Sequence, residues 1–277
     1  MLRTRIITAL IIAPLAVSAI YFLPLGWYAL FFWIIAAMGA FEWAGLLGLE
    51  RTGQRLGYVG AFAVVAGLTW WFQAGFVESW FLQSWFEGWF AVGLWLGVSM
   101  WLVAALSVVS FPRGSGLIGN PWIAGVIGLI IVWAAWIALI VIRSEPAGNG
   151  ANWLLWLLLL VWGADIGAYF AGRRFGRLKL ASAVSPGKTW EGAVGGLVLS
   201  VFVCGASLVI LGYSAWWLAT IAGLAIISVI GDLFESVLKR VRGVKDSGNL
   251  LPGHGGLLDR IDSVLAVLPV FALILTR

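Results

Sequence analysis

Long apolar runs, separated by short polar breaks, set the elements of this chain. Nine runs reach the length of a membrane span: about 6–23, 27–47, 58–76, 90–109, 122–142, 152–172, 189–211, 216–238 and 257–276. An α-helix needs roughly 20 apolar residues to cross the hydrocarbon core. The runs lack the strand-length alternation of apolar and polar residues that marks a transmembrane barrel, so each predicts a helix. The first run continues past Val17-Ser18-Ala19, where a small-residue cleavage site would fall, through Ile20-Tyr21-Phe22-Leu23. That length predicts a retained first helix.

Composition agrees with the pattern. Of 277 residues, 62% are hydrophobic and 10% charged, and the mean hydropathy is +1.02. A soluble domain carries about 25% charged residues. The expectation is an all-α, polytopic integral membrane protein with about nine transmembrane helices. It forms one membrane-embedded domain over 1–277, with few motifs in 1–150 and the catalytic part in 151–277. The single cysteine, Cys204, permits no internal disulfide and reads as packing. Pairs of glycines four apart, Gly163/Gly167 and Gly192/Gly196, predict close helix packing. The aromatic stretch around Trp80-Phe81, Trp85-Phe86 and Trp89-Phe90 reads as an interfacial belt.

Charge then orients the chain. With a cytoplasmic N-terminus, fifteen of the seventeen Lys and Arg fall on the inner side, leaving only Arg143 and Arg277 outside. That is the positive-inside bias. It accounts for a pI near 9.7 without a nucleic-acid partner.

Several acids stand where a membrane helix should exclude them. A carboxylate near a helix centre costs about 2.5–3.5 kcal/mol on insertion scales. Glu42, Asp165, Glu191, Asp232, Glu235, Asp259 and Asp262 all fall toward the inner ends of their runs. Asp232, Glu235, Ser236 and Lys239 lie on one helical stripe, Asp259 and Asp262 share a face, and so do Asp165 and Tyr169. Oxygen ligands from several helices suit a hard cation such as Mg²⁺; one histidine and one cysteine exclude a His/Cys site. Between the acidic helices, a loop with Gly243, Gly248, Gly253, Gly255 and Gly256 is flanked by Lys239, Arg240, Arg242, Lys245 and Arg260. Carboxylates beside a cationic glycine loop point to metal plus polyphosphate. His254, alone in that loop, suits either proton transfer or phosphate binding. Gly187-Lys188-Thr189 imitates a Walker A motif but fails it, because Ser182 replaces the first glycine and no strand is predicted before it. A phosphate contact from Lys188 at the following helix N-terminus remains open.

The stretch Ser236-x-Leu238-Lys239-Arg240, Lys245-Asp246-x-Gly248, Pro252-x-His254-Gly255-Gly256-x-x-Asp259-Arg260-x-Asp262 resembles the signature of the phosphatidate cytidylyltransferase (CDP-diacylglycerol synthase) family. Ser185-Pro186-Gly187-Lys188-Thr189-Trp190-Glu191-Gly192 looks like that family's second motif. The resemblance implies CMP transfer from CTP to phosphatidic acid, with release of pyrophosphate, at cytoplasmic helix ends of an inner-membrane enzyme. It also implies Mg²⁺, a monovalent cation such as K⁺, and a homodimer. On this basis Asp232 and Asp259, with Asp165 and Asp262, are metal candidates. Lys239, Arg240, Lys245, Asp246, His254 and Arg260 are candidates for catalysis. Ser185, Lys188, Thr189, Ser236, Gly255 and Gly256 are candidates for binding substrate. The competing readings are a CTP-dependent kinase of a lipid alcohol, which releases CDP, and an ion or lipid transporter, which places acids at the midplane or on both sides.

Overall fold

The predicted runs are helical, the run 189–211 as two helices joined by a π-turn, and several helices outlast their runs. The computed structural model describes residues 2–75, 80–251, 253 and 255–276, with side chains described outside 2–9, 72–75 and 80–87. The helices are α1 (Leu2–Phe22), α2 (Leu25–Leu46), α3 (Thr52–Gly75), α4 (Trp80–Ser110), a short α5 (Ser115–Gly119), α6 (Pro121–Arg143), α7 (Gly150–Phe175), α8 (Trp190–Ser200), α9 (Ala206–Ile210), α10 (Trp216–Arg242) and α11 (Leu258–Leu275). α7 and α10 run past their apolar windows through Arg173-Arg174 and Lys239-Arg240-Val241-Arg242. Hydropathy marks the thickness of the hydrocarbon, whereas a helix stops at a cap. For α10 that cap is Gly243, at φ +72°, a left-handed position that glycine occupies without strain. Asn120 caps α6 by accepting from the Trp122 and Ile123 amides, with Pro121 in the first turn.

Among the described residues, six helices are long and apolar enough to cross a membrane: Leu25–Leu46, Gly88–Ser110, Pro121–Arg143, Gly150–Phe175, Trp190–Ile210 and Trp216–Arg242. The chain is thus an all-α polytopic membrane protein. Length and composition by themselves support six of the nine expected spans. α11 falls outside the six because Asp259, Arg260 and Asp262 crowd its first turns.

α6 is the central helix, 72% buried over its span; Ile131, Ala134, Ile137 and Ala138 are fully enclosed. Helix association in lipid rests on close packing rather than on expelling water. The contact of α7 with α8 shows this most clearly. A Cβ at Gly167 would lie 2.5 Å from the Gly195 carbonyl oxygen, and one at Gly196 would lie 2.5 Å from that of Ala164. The expected glycine faces therefore meet each other within one chain. Gly167→Leu should cost about 3 kcal/mol or more, read as a lowered unfolding temperature in detergent. Five residues after Ser200, Val201–Gly205, form a π-turn, and Cys204, buried there, offers its carbonyl to the Trp156 indole at 3.4 Å.

The loops that charge assigned to one side do gather at one end. Arg242 reaches Glu50 at 3.8 Å, tying the α2–α3 loop to the end of α10. Val184 packs with Phe111, Leu233 and Val237, which brings the α4–α5 and α7–α8 connections to the same place. At the other end Arg143 donates to the Ile20 carbonyl at 3.0 Å.

The α7–α8 connection also corrects an expectation. It is a two-stranded antiparallel hairpin, β1 (Lys179–Ala181) with β2 (Ser185–Thr189). Lys188 stands on β2 rather than in a glycine-rich phosphate loop, so the geometry still departs from a Walker A site. Short strands made of Ser, Pro, Gly and Lys carry no apolar alternation, and so the sequence gives them no signal.

Candidate active site

The α10–α11 hairpin builds the site's frame. α10 presents Asp232, Ser236 and Lys239 along one stripe, and α11 crosses it closely. A Cβ at Gly231 would come within 2.7 Å of the Asp262 carbonyl oxygen and 2.9 Å of Ala266, so only glycine admits this approach. After Gly243 the chain loops out and returns through an antiparallel bridge, Leu251 to Gly255. Gly253 (φ +78°) and Gly255 (φ +82°) supply the left-handed turns.

Asp259 is the knot of this loop. Its Oδ1 accepts from Lys239 Nζ at 2.6 Å. Its Oδ2 accepts from the Ser247 amide (3.0 Å), the Ser247 hydroxyl (3.1 Å) and the Gly256 amide (2.9 Å). Glu235 is buried behind it, with Lys239 Nζ 3.4 Å away. Asp232 mirrors the arrangement, holding Lys188 Nζ at 2.6 Å from β2. Thr189, at the end of β2, caps α8 by accepting from the Gly192 amide at 3.1 Å, and the Glu191 carboxylate accepts from the Leu178 amide at 3.2 Å. Arg240 Nε donates to the Val184 carbonyl at 3.0 Å. That bond pins the hairpin tip to α10 and so sets where Lys188 can reach.

These elements enclose a polar cavity of about 900 Å³. Asp165, Lys188, Thr189, Asp232, Ser236, Lys239, Arg240, Lys245, Asp246, Asp259, Arg260 and Asp262 all line it. Ser185 does not; it sits in β2 opposite Ala181. Gly255 and Gly256 stand behind the wall, in the cradle of Asp259. His254 lies outside the described residues. Arg173, expected as one of the basic residues of the inner α7–α8 loop but not as a site residue, donates through Nη1 to the Tyr169 hydroxyl at 2.9 Å; both residues line the cavity. Extending the Asp165–Tyr169 face by one more turn would have reached it.

A second, apolar cleft of about 370 Å³ runs between α1, α2, α6, α7 and α11. It meets the polar cavity at Trp162 and Arg260, which line both. A charged chamber thus joins an oily slot at one arginine.

The donor chemistry bears on a metal. Among the described residues no three His, Cys, Asp or Glu side chains are grouped as a ready metal cage. Mg²⁺, however, is usually held by one or two carboxylates together with substrate phosphates. Six cationic and five anionic side chains line the cavity, a formal surplus of only one positive charge. Such a cavity cannot by itself balance a nucleoside triphosphate and a second phosphate. One or two of the pocket-facing carboxylates of Asp165, Asp232 and Asp262, completed by substrate phosphates, fit a divalent cation. At Asp259 the loop donors occupy Oδ2, which leaves Oδ1, the oxygen that accepts from Lys239 Nζ.

Comparison with known proteins covers almost the whole chain. The profile of the Cytidylyltransferase family matches residues 3–277. The phosphatidate cytidylyltransferase of Pseudomonas aeruginosa is 40% identical over 296 residues, covering 99% of this chain and 97% of that protein. That of Haemophilus influenzae is 34% identical over 98% of each chain. That of Staphylococcus saprophyticus is 45% identical over 136 residues, 48% of this chain and 52% of that protein.

Proposed function

The chain belongs to the cytidylyltransferase family, and on that premise we propose that it transfers CMP from CTP to phosphatidic acid, giving CDP-diacylglycerol and pyrophosphate for phospholipid synthesis. One observation carries the reading: the polar cavity and the apolar cleft share Arg260 and Trp162. CTP occupies the chamber, the acyl chains of phosphatidate lie in the cleft, and the lipid phosphate meets Arg260 at the junction.

The reaction asks little acid–base chemistry of the protein. A phosphatidate oxygen is already anionic, attacks the α-phosphorus of CTP, and pyrophosphate leaves. The barrier comes from bringing two anions together and from charge building on the leaving group. Lys188, Lys239, Arg240, Lys245 and Arg260, with Arg173, place positive charge around those oxygens. Asp232 and Asp259 hold Lys188 and Lys239 in place until substrate arrives. Ser236 and Thr189 offer hydroxyls at the wall. Asp246 lies beside the loop lysine, Lys245.

Asp232 and Asp259, with Asp165 and Asp262 as the weaker candidates, would hold Mg²⁺ one or two carboxylates at a time together with the substrate phosphates, and the ion would supply the countercharge that the nearly balanced lining lacks; a monovalent cation such as K⁺ would add to it. The cytoplasmic N-terminus and the bacterial inner membrane belong to the same reading, supported by the gathering of Lys/Arg-rich loops at the site's end. So does a homodimer. The α8–α9 span is only 28% buried and leaves Val194, Val198, Phe202, Val209 and Ile210 uncovered.

Two measurements test this assignment. Purified protein given CTP should release pyrophosphate only when phosphatidic acid is present. Release of CDP with diacylglycerol as acceptor would overturn the reading in favour of a lipid kinase. In addition, Ala16→Phe, on the α1 wall of the cleft, should raise the KM for long-chain phosphatidate about tenfold, as lost acyl burial implies, while the KM for CTP stays unchanged. Equal shifts in both would place the acyl chains elsewhere.

A further inference from the structure

One buried carboxylate is not used by the proposed reaction. Glu42 sits on α2, in the half of the chain that carries no signature, and is 2% exposed. Its Oε2 accepts from the Leu258 amide at 2.8 Å, in the first turn of α11, and from the Ser247 hydroxyl at 3.2 Å. Ser247 also donates its amide to Asp259 Oδ2, and its single hydroxyl proton is shared between the two carboxylates. The link therefore runs from α2 through Ser247 to the carboxylate that holds Lys239. One turn earlier on α2, Gly39 lets Leu258 approach; a Cβ there would stand 3.3 Å from its side chain.

The glycines of the loop give an independent observation. A Cβ on Gly248 would overlap Glu42 Oε1, and a Cβ on Gly256 would stand 2.7 Å from Glu42 Oε2 and overlap Ser247 Oγ. Neither residue has a left-handed backbone, so turn geometry does not require glycine at either position. Neither lines the polar cavity, so close approach to a nucleotide phosphate does not require it there. Over Gly248 the space a side chain would need is filled by the Glu42 carboxylate; over Gly256 it is filled first by the Ser247 hydroxyl, then by Glu42 Oε2 and the Gly248 amide nitrogen.

We infer that Glu42 is a positioning residue of the site: it caps α11 from another helix, seats the α10–α11 loop at Ser247, and thereby aims Asp259 and Lys239, while Gly248 is glycine to admit it. The role in turnover rests on the proposed CMP transfer; the seating of the loop does not.

The test is a set of variants in the full-length protein, Glu42→Ala, Glu42→Gln, Gly248→Ala and the pair Glu42→Ala/Gly248→Ala, assayed for turnover and for backbone hydrogen exchange. Glu42→Ala should lower kcat roughly a hundredfold, the scale of a small misplacement of reacting groups, with the KM for CTP within about threefold. Glu42→Gln keeps an oxygen for Leu258 and Ser247 and should stay within about tenfold of the parent. Gly248→Ala should be severely impaired alone yet add nothing to Glu42→Ala, because the methyl then enters vacated space. Amides in 244–258 should exchange at least about tenfold faster in Glu42→Ala, with α6 unchanged. Full turnover in Glu42→Ala, losses that multiply in the double variant, or unaltered exchange in 244–258 would each overturn the proposal. If the parent makes no lipid-linked CMP, the functional reading fails, and the exchange comparison decides the seating role alone.

Discussion

Asp259→Asn is expected to abolish CMP transfer, by about a thousandfold or more, and to destabilise the protein as well. The two oxygens of Asp259 face donors on both sides. Lys239 Nζ lies on Oδ1, while the Ser247 amide, the Ser247 hydroxyl and the Gly256 amide lie on Oδ2. An asparagine has one oxygen. Whichever way its amide turns, an NH₂ group confronts either an ammonium or two backbone N–H groups. The pair is part-buried, so losing one member should cost less than the roughly 3–5 kcal/mol of a fully buried pair, and Lys239 would be left facing Glu235 without its main partner. The signature loop loses its knot, so activity and thermal stability should fall together, measured by lipid-linked CMP formation and by unfolding temperature in detergent.

Asp232→Asn should behave differently, and the contrast is the point of the pair. Asp232 also binds a lysine, Lys188 at 2.6 Å, but its side chain is 35% exposed to the cavity and that of Lys188 is 25% exposed. Half-exposed pairs contribute about 0–1 kcal/mol, so stability should hardly change. Activity should still fall by about a hundred- to a thousandfold, the usual scale for losing one preorganised electrostatic group. In the reading given above, the variant should also need more Mg²⁺ for half-maximal rate. Full activity with unchanged Mg²⁺ dependence would remove Asp232 from the metal-holding set.

The fold was legible where it depends on apolar length, and the site was legible where it depends on charge out of place. Asp165 and Lys188, far from α11 in sequence, were placed on one side by counting spans and basic loops, and both line the same cavity as Asp232 and Asp262. Three things were harder to read. The β1–β2 hairpin has no apolar alternation. Arg240 looked like a pure phosphate contact, yet its Nε is spent on the Val184 carbonyl, a bond only the folded hairpin reveals. Glu42 was visible as an odd acid, but its partners Ser247 and Leu258 are 205 and 216 positions away, and no local spacing relates them. Gly248 and Gly256 were open to misreading for the same reason. A glycine-rich loop among lysines suggests phosphate, whereas the structure fills the space over Gly248 with the Glu42 carboxylate and that over Gly256 with Ser247, Glu42 and the loop's own backbone.

The most direct test of the central claim follows the label. Purified protein with phosphatidic acid and Mg²⁺ is given CTP labelled either at the α-phosphate or at the γ-phosphate. The α-label should pass into the lipid and the γ-label into pyrophosphate, with the first transfer lost in Asp232→Asn. Transfer of the γ-label into lipid, or no lipid labelling from either CTP, would contradict the account.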